Sequence, residues 1–169
     1  MPKEDFEIVT SISKEAYGEQ YNEHVLEIYK MYVEMADRIS TRRQTANSFF
    51  LTINSAIVAL VGYVSAVADN GTIFFYALVS FAGMILSYLW YRLVLSYKQM
   101  NSGKFKVIHA IEAMLPIRPY EAEWDALGRG KNPDLYKPFT RIEIFVPWVF
   151  FSLHALVMAA GIYLMVYPA

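Results

Sequence analysis

The sequence predicts an all-α membrane protein: three transmembrane helices, a long cytoplasmic N-terminal helix, and a helical cytoplasmic connection between spans two and three. Three windows free of Asp, Glu, Lys and Arg carry this reading: 25 residues from Gln44 to Ala68, 22 between Asp69 and Arg92, and 26 after Glu143. At about 1.5 Å rise per residue, each exceeds the ~30 Å hydrocarbon core of a bilayer. Composition agrees, since 56% of the 169 residues are hydrophobic and only 18% are charged, too apolar for an ordinary soluble domain. Basic charge is one-sided. All 15 Lys and Arg residues lie before the first window or between the second and third, which predicts a cytoplasmic N-terminus and an external Ala169.

The chain divides accordingly into a cytoplasmic region at 1–45, a transmembrane hairpin at 46–96, a cytoplasmic connection at 97–141 and a third span at 142–169. The segments outside the spans leave little room for a separately folded catalytic core. No cysteine is present, which excludes disulfides, thiolate nucleophiles and cysteine-ligated metals. The opening residues are acidic and polar, so the first span reads as an uncleaved signal anchor.

Residues 1 to 12 are expected to be loosely structured, and Ser13 is placed to cap a helix start. From Tyr21, apolar residues recur at Val25, Ile28, Tyr32, Met35 and Ile39, and the spacing continues through Arg42, Ala46, Phe49, Ile53, Ala56 and Leu60. This 4-3 alternation predicts a heptad stripe that needs a partner. With no Gly or Pro in residues 19–61, soluble helix and first span can form one rod. Asn70-Gly71 supplies a tight turn. Tyr88, Trp90 and Tyr91 beside Arg92 suit a membrane boundary. The second span continues as a cytoplasmic helix through Ile111, with Gly103 as a predicted weak point. Pro119 then starts a short helix burying Tyr120, Trp124 and Leu127, with Gly128 as its cap. A loop leads to a third helix near Ile142, which tolerates Pro147 in its first turns.

The candidate site residues fall into two groups. Asn54 and His154 are the polar residues deepest in the spans, where each needs a partner as interhelical glue or as part of a conduit. Asn54 shares a helical face with Val58, Val61 and Ser65, and that mixed stripe would make a narrow constriction able to close by dewetting. Outside the spans, Tyr120, Trp124 and Arg129 are expected to engage a soluble protein partner. Small residues recur at Ser55, Ala59, Gly62 and Ala66, at Gly83 and Ser87, and at Ala155, Ala159, Ala160 and Gly161; such faces favour oligomers. No catalytic motif is present, and no cofactor, metal or direct nucleic-acid binding is expected. His24 and His109 are cytoplasmic by this topology, far from His154.

The long helix feeding RRQTANSFFLTINSAI into a hairpin resembles the SLATT-type predicted effectors of bacterial defence islands, over roughly residues 20 to 95. The third span and the connection from Tyr97 to Arg141 depart from the two-span form. The resemblance implies an inner-membrane protein that disrupts or depolarises the membrane when a partner senses infection. Three functions therefore stand: a channel-like or membrane-disrupting homo-oligomeric effector, a membrane scaffold docking a soluble protein, and a transporter component or membrane enzyme. The last wants more spans or a pocket of convergent polar groups.

Overall fold

The computed structural model describes residues 10–67 and 73–167; the predicted turn at Asn70-Gly71, the first nine residues and Ala169 lie outside them. Helix α1 (Lys14–Tyr17) is capped by Ser13, whose Oγ accepts from the Ala16 N–H at 3.3 Å. It stops after one turn because Gly18 takes φ 92°, a left-handed conformation open to glycine. The long helix α2 (Tyr21–Val67) follows, then α3 (Ile73–Glu112), the short α4 (Pro119–Ala126) and α5 (Thr140–Val166). Helices α2, α3 and α5 are each long and apolar enough to cross a membrane. Among the described residues there is no strand.

Helix α2 runs without interruption over 47 residues, as the lack of Gly and Pro in residues 19–61 predicts. Helix α3 also passes through Gly103, where a local preference worth about 1 kcal/mol is outweighed by the packed neighbours on either side. Pro119 opens α4, and Leu127 closes it ahead of Gly128 at φ 63°. Pro147 lies inside α5, where it deprives the Glu143 carbonyl of its helical N–H partner.

The chain forms two compact units. One comprises the described part of Met1–Arg42 with Tyr97–Pro138; the other comprises that of Arg43–Ser96 with Phe139–Ala169. In the first, Ala36, Ile39, Ile108, Ala110 and Ile111 are buried, and α2 meets the end of α3 through Tyr32 with Lys104 above its ring. In the second, Trp90, Val94 and Pro147 are buried together with Asn54, Ser80, Ser87, Glu143 and His154. An interior so rich in polar groups suits helices in lipid. There apolar contact between helices gains nothing over contact with acyl chains, and packing plus hydrogen bonds hold the bundle.

The predicted heptad on α2 holds for half of its positions. Tyr21, Val25, Tyr32, Ile39, Ala46 and Ile53 are buried or half-buried, whereas Ile28, Met35, Arg42, Phe49, Ala56 and Leu60 are exposed. Also turned inward are Tyr29, Val33, Ala36, Ser40, Arg43, Asn47, Phe50, Asn54, Ile57, Val61 and Val64, an unbroken 4-3 alternation. Hydropathy misses this side of the inward face because five of these residues are polar or charged and find their partners inside the protein. A third alternation, Thr45, Ser48, Thr52, Ser55, Ala59, Gly62 and Ala66, is exposed throughout and lies nearly opposite the inward one.

Candidate functional site

In the unit built from the apolar spans, polar side chains form two layers. In the first, Glu143 Oε1 accepts from Asn47 Nδ2 at 2.8 Å and lies 3.5 Å from Arg43 Nε. Asn47 Oδ1 in turn accepts from Trp90 Nε1 at 2.8 Å, and the indole stacks on Phe50 with ring centroids 5.9 Å apart. Side chains from α2, α3 and α5 thus close into one clasp, while Glu143 Oε2 is buried with no hydrogen bond.

Seven residues farther along α2, Asn54 organises the second layer. Its Oδ1 accepts from Ser87 Oγ at 2.9 Å and lies 3.2 Å from His154 Nε2, and its Nδ2 donates to the Phe50 carbonyl at 2.9 Å. The Ser87 hydroxyl has one proton to share between Asn54 and the Gly83 carbonyl, 2.8 Å away. The His154 ring lies flat on Gly83, where an added Cβ would fall 2.5 Å from its Cε1 and Nε2. Asn54 is 0% and His154 1% exposed, so no water or substrate reaches the layer and its chemistry is confined to hydrogen bonding. The structure therefore brings Asn54 and His154 together but leaves Ser65 apart, exposed and donating to the Gly62 carbonyl at 2.8 Å. Asn54 is buried in its own bundle, whereas Ser65, on the same side of the helix three turns on, is exposed.

In the other unit the organising group is Glu112, fully buried. Its Oε1 accepts from Tyr29 OH and from the Tyr120 N–H, both at 2.9 Å, and its Oε2 accepts from the Glu121 N–H at 3.1 Å. A carboxylate on α3 thereby caps the start of α4, satisfying donors that the helix cannot satisfy itself. Burial, with Glu112 adding its hydrogen bond, pushes the Tyr29 phenol well above its usual range. His109 Nδ1 lies 3.5 Å from Glu112 and 3.2 Å from Glu121, in neither case along a hydrogen bond. Sequence spacing gave no sign of this role, because Glu112 and its two backbone partners belong to different helices.

The predicted partner residues surround this cap. Tyr120 packs edge-on against Phe105, with centroids 5.6 Å apart. Trp124 was expected to be buried; instead it is 37% exposed and lines an open groove with Tyr136. Arg129 takes φ 53° and pairs with Asp125 and Glu121, which hold its proton more tightly than usual. Its guanidinium is thus already committed. Among the described residues no group of three or more His, Asp or Glu is arranged to hold a metal.

Residues 26–163 match the octameric membrane protein family (8xMP). The match takes in all three long helices and the connection, and so extends well beyond the architectural likeness to SLATT-type effectors. No curated protein and no solved structure matches the chain.

Proposed function

The chain belongs to the octameric membrane protein family, and from that premise we propose that this small oligomeric membrane protein forms a ring whose α2 helices line a channel-like conduit. The carrying observation is the outward alternation from Thr45 to Ala66. It holds hydroxyls and small side chains only, on the side of α2 opposite the helix's own bundle. Lipid has no use for such a face, whereas neighbouring copies can approach it closely and water can wet its hydroxyls. A Cβ at Gly62 would meet nothing within 4 Å in the single chain.

Assembly has a second support in the other unit. Ile28, Met31 and Met35 form an exposed apolar patch on α2 outside the charge-free window, where lipid does not cover it. We assign this patch to contact between copies, with eight as the number to expect. The one-sided positive charge supports an N-terminus and connection on the cytoplasmic side of a bacterial inner membrane. Opening the conduit would dissipate ion gradients, the action of a membrane-disrupting defence effector.

Reconstitution into liposomes with an ion-flux assay tests the reading. Flux should fall on Thr52→Leu or Ser55→Leu with the oligomer's mass unchanged, and Met35→Asp should reduce that mass while helicity persists. Intact oligomers that pass no ions under any condition would overturn the conduit in favour of a scaffold.

A further inference from the structure

The groove beside the Glu112 cap has a volume of about 550 Å³, within the ~300–1,000 Å³ of small-molecule sites. One wall is the α3 face carrying Asn101, Phe105, Lys106 and His109; the other is the α4 face carrying Tyr120, Glu123 and Trp124, with Tyr136 closing one side. Its aromatic rings stand in two edge-to-face pairs, Phe105 on Tyr120 and Trp124 on Tyr136, which leave π-faces for a planar guest.

Two charged groups along the groove are unspent. The Lys106 ammonium and the Glu123 carboxylate make no ion pair with any described residue, in a unit whose Arg129, Asp125 and Glu121 are paired with one another. The pair calls for an anion and for hydroxyl donors on one ligand.

From this set of groups we infer that the groove binds a mononucleotide. The base stacks on the exposed indole of Trp124, the phosphate meets Lys106 and the ribose hydroxyls meet Glu123. Aromatic stacking with a single cation resembles the physics of single-strand nucleotide recognition more than that of phosphate loops, consistent with a chain that has no glycine-rich phosphate cradle. Because the α4 wall hangs on Glu112 and not on the groove itself, the site is formed before the ligand arrives.

The inference is independent of conduction and is tested separately on the full-length oligomer in nanodiscs. Adenosine 5′-monophosphate and the other three ribonucleoside monophosphates are titrated by calorimetry, with adenosine and inorganic phosphate as component controls. At least one mononucleotide should bind saturably and more tightly than either component. Trp124→Ala should weaken it about tenfold or more, and Lys106→Glu, at an exposed position that leaves the fold intact by circular dichroism, should weaken the nucleotide but not the nucleoside. The absence of saturable binding by all four monophosphates overturns the proposal, as does binding that Trp124→Ala and Lys106→Glu leave unchanged.

Discussion

Replacing Gly83 by alanine tests how the spans are held together. The new methyl carbon would lie 2.5 Å from His154 Cε1 and Nε2 and 2.6 Å from Cδ2, against about 3.5–4.0 Å for comfortable contact. The imidazole must retreat by about 1 Å, and its 3.2 Å approach to Asn54 is then lost. Overpacking costs about 1–3 kcal/mol. A hydrogen bond between membrane helices adds about 0.6 and at most about 1.7 kcal/mol. Alanine's better helix propensity returns up to about 1 kcal/mol, so the net loss is about 1–3 kcal/mol. Reversible unfolding in mixed micelles titrated with sodium dodecyl sulfate reads this quantity. The decisive measurement is the cycle with His154→Ala. With the ring gone, the methyl added by Gly83→Ala fills vacated space, so the double variant should be no less stable than His154→Ala alone. Coupling should be about 1–3 kcal/mol. Simple additivity, or a neutral Gly83→Ala, would refute the contact between the two helices.

Two further outcomes follow from the other unit. Glu112→Gln keeps an oxygen for Tyr29 and Tyr120 but presents an amide nitrogen to the Glu121 N–H, losing one charge-assisted bond and about 1.5–3 kcal/mol. Glu112→Ala loses all three and should melt lower still, so equal melting of the two variants by circular dichroism would count against the cap. Gly103→Ala adds a methyl to open space in mid-helix and should raise stability by about 0.4–1 kcal/mol, measured as a higher melting midpoint.

The three long helices were legible because charge is expensive in hydrocarbon and its absence from 22 or more consecutive residues is a coarse, robust signal. Facing was legible only in part. Apolar periodicity ranks Ile28 and Met35 above Tyr29, Arg43 and Asn47, yet the latter are partnered within the chain and turn inward. The deep pair Asn54 and His154 could be named from depth alone, whereas their meeting depends on Gly83 and Ser87, whose smallness admits the ring and whose hydroxyl shares the amide. The outward stripe was read only in its Ser55 to Ala66 half, since Thr45, Ser48 and Thr52 pass for ordinary helix residues until their common exposure is seen. Glu112 was invisible as a cap because its partners are brought to it by tertiary folding.

The two asparagines of α2 stand seven residues apart, one heptad, and are offered different company. Asn47 meets an indole and a carboxylate; Asn54 meets a hydroxyl and an imidazole. Sliding α2 by one heptad would keep its shape complementary to its neighbours but would deliver Asn47 to the histidine layer and Ser40 to the clasp, leaving the clasp without its amide. Apolar teeth alone cannot tell such alignments apart in a solvent as oily as they are. The pair therefore works as a two-notch key. Spans that insert independently can glide past one another until both amides engage, and the membrane protein reaches a single alignment through an address written in two residues.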